Sequence, residues 1–307
     1  MKQRIDVHAH YFPPAYIALL KKYHIEYLDG AAKPEWSIDR QLKYMEELNI
    51  STAYLSLSSP HIHMGNVQEA IETARLCNEY GANLTSTYDK KIKIMASLPL
   101  PEIDASVEEI RYCRDTLHVA GFAMLTHSSG IYLGDSYLDP IMEELNKSPT
   151  VVVIHPTHPV SIPNGVNVGI PDAMLEYFFD TTRAATNMIL NKITRRYKNI
   201  KWIIPHGGAF LSIASDRLDT LFKVMNFDSK IDVREALSEF YYDLAGMAMP
   251  KQYDLLKTIT DETHLLYGSD MPFTPNKLCV KLAENMDEKL GEKAQKIYIN
   301  NAIKLFE

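Results

Sequence analysis

The sequence predicts a single-domain α/β protein of the (β/α)8, or TIM, barrel class, on the basis of three features. Eight short apolar runs alternate with longer segments of helical periodicity, as strands and crossover helices do around a parallel sheet. Several runs are apolar throughout, which is typical of strands that are buried on both faces. No linker, low-complexity tract or internal repeat divides residues 1–307, so one domain is expected.

The eight predicted strands are spread along the whole chain. They are Arg4–His8, Ala53–Leu57, Ile92–Leu98, Gly121–Leu125, Val151–His155, Trp202–His206, Phe240–Asp243 and Leu265–Gly268. Eight is the number of strands that closes a barrel of this class. The loops at the carboxyl ends of the strands form its open mouth, so residues at those ends are the candidates for chemistry.

Helix-start signals lie between the strands. Ser37 precedes an apolar stripe of helical spacing and is a candidate N-cap, as are Asp104 and Asp139, the latter followed by Pro140. The stretch Pro156–Asp172 is rich in Pro and Gly and has little periodicity, so a long loop is expected after the fifth strand. Long loops in this position often shape a pocket.

Composition narrows the function classes. The chain carries a formal net charge of -7 without a basic block, which argues against a nucleic-acid partner. No apolar run approaches the length that spans a bilayer, and the amino terminus lacks the apolar segment of a signal peptide, so a cytoplasmic protein without membrane contact is expected. Cys77, Cys113 and Cys279 are odd in number and far apart, and are expected to be reduced core thiols.

The first predicted strand ends in a His-x-His pair. Alternate residues of a strand point to the same side, so His8 and His10 are expected to face one site. Two neutral imidazoles can bind one metal ion. On its own, the pair is a modest signal.

Three other strands also lead into residues of ligand type. The fifth ends in His155, the sixth in His206, and the eighth runs into Asp270. Each of them alone could be a polar residue that forms hydrogen bonds at the barrel rim. Because the carboxyl ends of all barrel strands meet at one face, the agreement of four strand ends favours a metal site.

Six motifs give the chain a resemblance to a known family. They are His8-Ala9-His10, Ile154-His155-Pro156, Pro205-His206-Gly207-Gly208-Ala209-Phe210, Tyr242-Asp243, Gly268-Ser269-Asp270-Met271-Pro272-Phe273 and Asn301-Ala302-Ile303-Lys304-Leu305-Phe306. With them, the chain from residue 4 onward resembles the metal-dependent amidohydrolase superfamily. The similarity is to its amidohydrolase 2 branch, which includes aminocarboxymuconate-semialdehyde decarboxylase and related benzoate-type decarboxylases.

The resemblance implies a mononuclear metal site. Binuclear members of the superfamily use a carboxylated lysine of the fourth strand, where this chain has Thr126-His127. The resemblance implies that His206 acts as acid/base beside one divalent ion, and that the ligands of this ion are His8, His10, His155 and Asp270. Mixed histidine and carboxylate ligands make zinc the first expectation and manganese the second. Such a site can lower the pKa of a bound water molecule to about 7.

The resemblance favours one reaction over two alternatives. The first is non-oxidative decarboxylation of a small unsaturated or aromatic carboxylic acid, with metal-bound water and proton transfer by His206 and Asp270. The alternative is metal-dependent hydrolysis of a lactone or amide, which the same ligands would serve. A binding protein without turnover is the third, and the base His206 argues against it. The segment Lys21–Trp36 is shorter than in the aminocarboxymuconate enzyme and lacks its arginine, so that enzyme's substrate is not assigned to this chain.

Further residues are candidates for contact with a substrate. Arg217 has the spacing at which the decarboxylase branch places an arginine that binds a substrate carboxylate across a homodimer interface, and a solvated helix arginine is the alternative. His127 and His158 lie near the predicted mouth, where each could touch substrate or face water. Asp243 is a candidate for orienting a histidine ligand. A second His-x-His pair, His61-Ile62-His63, lies in a loop without an evident partner ligand.

Overall fold

Eight parallel strands form one sheet in the order of the chain, in a computed structural model that describes residues 1–167, 169–225, 228 and 231–307. The strands are β1 (Arg4–His10), β2 (Ile50–Ser56), β3 (Ile92–Ser97), β4 (Gly121–Leu125), β5 (Thr150–His155), β6 (Ile200–Ile204), β7 (Tyr241–Asp243) and β8 (Leu265–Leu266). Each strand pairs in parallel with the next, as crossover connections require. The predicted fold class is confirmed.

Backbone hydrogen bonds between β1 and the chain that follows β8 close the barrel. Val7 N donates to Tyr267 O at 3.0 Å, and Asp270 N donates to His8 O at 2.8 Å. His10 N donates to Met271 O at 2.7 Å. The same bonds place Asp270 directly beside the His-x-His pair, so closure of the sheet and assembly of the site depend on one segment.

The strand bounds differ from the prediction in ways that the local backbone explains. β1 continues to His10, because His10 still pairs with Ser56 of β2. β6 ends at Ile204 rather than at His206, since Pro205 has no N–H for the ladder and His206 has a left-handed φ of 54°. β8 is only two residues long, because the chain beyond it contacts β1 through single backbone hydrogen bonds.

Helices follow most of the strands and cover the outside of the barrel. They are α1 (Pro14–Lys22), α2 (Ile38–Glu47), α3 (Val67–Thr87), α4 (Ile103–Tyr112), α5 (Asp139–Leu145), α6 (Glu176–Leu190), α7 (Ile193–Arg196), α8 (Leu211–Val224), α9 (Val233–Glu239), α10 (Lys251–Leu256), α11 (Asn276–Leu290) and α12 (Asn301–Phe306). π-Helical turns at Cys113–Leu117 and Lys296–Asn300 follow α4 and precede α12. Two short hairpins pair Tyr27–Leu28 with Ala31–Ala32 and His127–Ser128 with Ile131–Tyr132.

One of the three predicted helix caps is confirmed. The Ser37 side chain accepts a hydrogen bond from Arg40 N at the start of α2. Asp104 and Asp139 do not cap, because each lies inside the first turn of its helix, where an acidic side chain still interacts favourably with the helix dipole. The predicted long loop is present, since no helix or strand is found in the described part of residues 156–171.

Apolar side chains fill the barrel below the site and leave the carboxyl-end mouth open. Val151 and Val153 share a strand face with His155 and belong to a buried cluster that α12 covers from below. Phe306 of α12 stacks on Tyr54 with ring centroids 3.9 Å apart. The three cysteines are free and buried, as expected. Among the described residues, no helix combines the length and apolar character needed to cross a membrane.

Candidate metal centre and active site

Four side chains of ligand type meet at the mouth of the barrel. One ligand atom from each lies within 4.8 Å of the others, and the side chains are His8, His10, His155 and Asp270. His8 Nε2 and His10 Nε2 are 3.2 Å apart, and His10 Nε2 is 3.1 Å from Asp270 Oδ1. The structure therefore brings together the four residues that the resemblance implies as metal ligands.

The three histidines of this cluster turn their Nδ1 atoms away from one another. The Nδ1 atoms lie 2.7–3.3 Å from oxygen acceptors, which are Asp243 Oδ2 for His8, Ser56 O for His10 and Pro156 O for His155. These oxygens can only accept, so each neutral imidazole carries its proton on Nδ1 and keeps a lone pair on Nε2. Converging lone pairs and a carboxylate repel one another unless a cation lies between them. The donor set therefore fits a divalent metal ion.

Asp243 increases the affinity of His8 for positive charge. Burial disfavours a charged imidazole, but the Asp243 carboxylate 2.8 Å away outweighs it and raises the pKa of His8 to about 9. Burial acts against ionisation of Asp243 too, and His8 nevertheless holds the pKa of that carboxyl below its usual range. A divalent ion supplies the same positive charge in exchange for a proton. Asp243 thus occupies the position expected of a carboxylate that orients a ligand.

The other three ligand residues favour the deprotonated state that metal binding requires. Burial and the neighbouring histidines lower the pKa of His155 well below its usual value. Burial is also the largest cause of the lowered pKa of His10. For Asp270, burial opposes ionisation, but the neighbouring imidazoles of His10, His206 and His8 outweigh it and hold the pKa of that carboxyl well below its usual range.

His206 lies at the edge of the ligand cluster, with Nε2 3.8 Å from Asp270 Oδ2. Its backbone is held on both sides, because His206 N donates to Asp243 Oδ1 at 3.0 Å and its carbonyl accepts from Gln252 Nε2 at 2.9 Å. Gly246 packs against its ring, and a Cβ there would lie 3.0 Å from His206 Cδ2. The left-handed φ of 54° at His206 costs energy, which these contacts must offset.

Asp6 and Ser269 form a support below the ligands that sequence reasoning missed. Asp6 accepts hydrogen bonds from Ser269 Oγ at 2.5 Å, Ser269 N at 3.0 Å and His8 N at 3.1 Å. Burial raises the pKa of Asp6 to about 7 even though these bonds act in the opposite direction. Because Ser269 precedes Asp270, the contact fixes the two ligand-bearing segments relative to each other. The sequence gives no direct signal for this role, because the register of β1 against β2 shifts between Asp6 and Ala9 and interrupts the alternation of side chains.

A cavity of about 540 Å³ opens above the metal ligands. His155, His206 and Asp270 form its polar end. Its aromatic walls are Tyr177, Phe178 and Phe273, of which Phe178 stacks on the His206 ring with centroids 6.2 Å apart. Tyr11, Phe12 and Trp36 do not line this cavity and instead pack in or against the hydrophobic core. Phe273 belongs to the motif that contains Asp270, whereas Tyr177 and Phe178 of α6 have no recognisable sequence signal.

The predicted substrate residues lie outside the cavity lining. His127 is buried and its Nε2 donates to His158 O at 2.9 Å, while exposed His158 pairs with Asp172 at 2.6 Å. Arg217 is exposed on α8. His61, His63 and His127 line a separate small cavity of about 80 Å³. Within the described residues, the ligand cluster at the barrel mouth is the only group of three or more side chains that meets the geometry of a metal site.

Comparisons with known proteins all point to one protein family. A sequence profile of the amidohydrolase family matches residues 5–307. Decarboxylase yanB of Aspergillus niger is 33% identical over 99% of this chain and 87% of its own length. The 6-methylsalicylic acid decarboxylase of Penicillium expansum is 29% identical over 99% of this chain and 96% of its own.

Solved structures share the whole fold. A crystal structure of an amidohydrolase II is 34% identical and superposes with a TM-score of 0.94 over 99% of each chain. The dihydroxybenzoic acid decarboxylase of Polaromonas, solved with bound manganese and the inhibitor 2-nitroresorcinol, has a TM-score of 0.83 over 100% of this chain and 97% of its own. At 19% identity, that second likeness concerns the fold alone.

Proposed function

The chain belongs to the amidohydrolase family, and we propose that it is a metal-dependent decarboxylase that removes carbon dioxide from a small aromatic carboxylic acid. The observation that carries this proposal is the barrel mouth, where three histidines and Asp270 converge at the polar end of a cavity with aromatic walls. The relatives named as decarboxylases support the same reaction. Since one of them acts on 6-methylsalicylic acid, we take an ortho-hydroxybenzoate as the substrate class.

We propose that a single divalent ion is held by His8, His10, His155 and Asp270. When bound, this ion supplies a positive charge that attracts the anionic substrate and stabilises negative charge on its oxygens. Three imidazoles and one carboxylate suit zinc, which is our first assignment. Manganese is the second, and the manganese of the Polaromonas decarboxylase supports it.

The walls of the cavity orient the ring. Phe178 and Tyr177 lie on the side of His206 and His155, with ring centroids 6.2 Å and 5.9 Å from those imidazoles. Phe273 contacts His10 edge-to-face at 5.4 Å. A flat ring between such walls gains apolar and aromatic contacts, and its carboxylate and hydroxyl then point to the polar end.

Decarboxylation replaces a carbon–carbon bond with a carbon–hydrogen bond. The electron pair of the broken bond stays on the ring carbon, and a proton must reach that carbon as carbon dioxide leaves. We assign this proton to His206, because its Nε2 lies at the polar end of the cavity and imidazoles transfer protons near neutral pH. The ionised Asp270 beside it directs the proton-carrying nitrogen into the site. Solvent returns one proton to His206 after each turnover.

Release of carbon dioxide from hydroxybenzoates tests the reaction. The metal-loaded protein is expected to convert salicylate or 6-methylsalicylate to the phenol with one carbon dioxide per phenol formed. His206→Gln should lower kcat by about 10²–10⁴-fold, the usual contribution of a proton-transferring group. His24→Gln, at an exposed histidine of the same chemistry, should leave kcat unchanged. Turnover of lactones or amides without gas release would replace the decarboxylase by the hydrolase.

Elemental mass spectrometry tests the metal site. Wild-type protein is expected to contain about one divalent ion per chain, and His8→Ala and Asp270→Ala should each lose it, because three ligands bind less tightly than four. Folding of both variants is checked by far-ultraviolet circular dichroism. Absence of metal after reconstitution, or full retention in both variants, would rule out the site. Manganese as the activating ion would replace the zinc assignment.

We further propose that the protein is a homodimer in which α8 lies at the interface. Ile213, Arg217, Leu221 and Val224 are spaced as one helical stripe, and their apolar members are 66%, 38% and 75% exposed. Phe179 of neighbouring α6 is 46% exposed and contacts the α8 side through Phe210. Exposed apolar stripes of this kind mark protein contacts. Arg217 would then face the partner, which supports its predicted role across the interface.

The cytoplasm is the location that we propose. All three cysteines are free and buried. Reduced thiols are typical of proteins in reducing compartments. Fractionation of the producing cells, with an antibody against this chain, checks the location directly.

A further inference from the structure

The cavity above the metal ligands combines one polar end with a long apolar remainder. We propose that the substrate is a hydroxybenzoate whose ring carries an apolar substituent larger than a methyl group and no second carboxylate. This inference rests on the proposed decarboxylase function, because that function places the reacting carboxylate at the polar end.

Most of the residues beyond the polar end are apolar. The hairpin that follows α1 contributes Leu28, Ala31 and Ala32, and Pro34 follows it. The long loop after β5 contributes Pro171, Ala173 and Met174, and the remaining apolar residues are Met247, Pro275 and Leu278. Three hydroxyl side chains, Ser58, Ser59 and Thr274, also line the cavity, but they donate within the protein, to Ser59 O, Asp29 and Asp270. The wall therefore stabilises a hydrocarbon group and offers few hydrogen bonds to a polar one.

Among the described residues that line the cavity, none is a lysine or an arginine. Lys33 lies next in the chain to lining residues, but its Nζ is 5.8 Å from the Phe12 ring centroid and it does not line the cavity. Arg217, which we place at the dimer interface, would bind the carboxylate that leaves as carbon dioxide. A second carboxylate on the ring would therefore lose its hydration without gaining a cation, which is strongly unfavourable.

The volume of the cavity exceeds what a single ring needs. An apolar cavity of roughly 150 Å³ is large enough to bind benzene, whereas this cavity measures about 540 Å³. The three histidine ligands are buried, while Met174 and Leu278 are 67% and 44% exposed, so these two side chains line the outer part. A substituent that extends from the ring towards them covers apolar surface that a methyl group leaves in water.

Turnover of matched salicylates tests the inference with the metal-loaded protein. The series carries hydrogen, methyl, pentyl or carboxylate at ring position 6 and, in a second set, at position 4. In at least one set, kcat/KM for the pentyl compound should exceed that for the methyl compound by about tenfold or more, since each fully buried methylene contributes about fourfold. The carboxylate compounds should be the poorest substrates in both sets. Equal turnover of methyl and pentyl compounds, or preference for a dicarboxylate, would overturn the inference.

A binding measurement separates failure of this inference from failure of the proposed function. Calorimetry compares 3-pentylphenol with 3-hydroxybenzoate as ligands that need no decarboxylation. Absence of carbon dioxide release with preferential binding of 3-pentylphenol would reject the reaction and retain the apolar subsite. Carbon dioxide release without that preference would retain the reaction and reject the subsite.

Reversal of the preference assigns the subsite to particular residues. Met174→Lys places a cation in the outer part of the cavity at an exposed position, where folding tolerates it. The variant should bind 3-pentylphenol more weakly and 3-hydroxybenzoate more tightly than the wild type. The ratio of the two dissociation constants should change by at least about tenfold. The matched control is Leu76→Lys, which makes the same apolar-to-cationic change at a 54% exposed site on α3 outside the cavity. An unchanged ratio in Met174→Lys would show that the outer wall of the cavity does not contribute to the subsite.

Discussion

At the scale of single residues, Asp243 connects the two parts of the site. Its Oδ2 contacts His8 Nδ1 at 2.8 Å, and its Oδ1 accepts from the backbone of His206 at 3.0 Å and of Ala245 at 3.1 Å. One buried carboxylate therefore sets both the ring orientation of a metal ligand and the position of the proton-transferring residue. A carboxylate that accepts a hydrogen bond from a histidine ligand fixes the orientation of its ring and raises its basicity, and metal affinity depends on both.

The variant Asp243→Asn is expected to lower metal affinity by about 10–100-fold while leaving the fold in place. The amide keeps the shape of the carboxylate but removes the charge that favours a cation at His8. Competition with a chelator of known affinity measures the change. Asp216→Asn, at an 88% exposed carboxylate, is the matched control. Equal affinity in both variants would show that Asp243 does not support the metal.

Proton release on metal binding follows from the pKa of His8. Its folded-state pKa of about 9 means that both ring nitrogens of His8 carry a proton at pH 7. His10 and His155 are neutral at that pH, and Asp270 is ionised. Metal binding at pH 7 should release about one proton, and the release should fall towards zero as pH rises through about 9. Calorimetry in buffers of different ionisation enthalpy measures it. A release that does not depend on pH between 7 and 10 would contradict this assignment.

At the scale of elements, the hairpin Tyr27–Ala32 covers the cavity and is held in place by hydrogen bonds to its Asp29 side chain. The Asp29 carboxylate accepts from Ser59 Oγ at 2.5 Å, from Tyr177 OH at 2.8 Å and from His158 N at 3.0 Å. The hairpin itself has only two residues in each strand and little buried apolar surface. Its position therefore depends on these polar contacts rather than on packing.

Replacement of Asp29 by Ala should loosen this cover without unfolding the barrel. Hydrogen bonds to a carboxylate contribute about 1.5–3 kcal/mol each, so amide exchange in residues 27–32 should become at least about tenfold faster. KM for the aromatic acid should rise more than kcat falls, because the proton-transferring His206 is not touched. Hydrogen-exchange mass spectrometry and steady-state kinetics measure the two effects. Asp115→Ala, at an exposed carboxylate beyond α4, should change neither.

The strands and the ligand residues are predictable from the sequence, and the cover is not. Strands buried on both faces leave continuous apolar runs, and the barrel brings their carboxyl ends together, so His8, His155 and Asp270 can be associated across 262 residues of sequence. The hairpin Tyr27–Ala32 has no such run, since its strands are too short to show alternation. Asp29 looks like any loop aspartate, because the groups it binds come from three distant segments.

At the scale of the whole molecule, the proposed dimer and the active site are linked by aromatic contacts. Phe178 stacks on His206 and contacts Phe210 at 5.5 Å, and Phe210 contacts exposed Phe179 at 5.1 Å. The stripe on α8 that contains Arg217 lies on the same side of the barrel, because α8 begins directly after Phe210. A partner on this side would therefore cover a surface that is continuous with the wall of the cavity.

Complementation between two inactive variants tests whether Arg217 acts across the dimer. Arg217→Ala keeps its own His206 but would give its partner no arginine, and His206→Gln keeps Arg217 but cannot transfer the proton. In a random mixture, half of the dimers are mixed and one of their two sites is complete, so about a quarter of wild-type activity should return. The mixture must be dimeric by light scattering. Arg40→Ala, at a 50% exposed arginine away from the stripe, should be fully active alone. A monomer, or a mixture no more active than its components, would return Arg217 to an ordinary solvated helix residue.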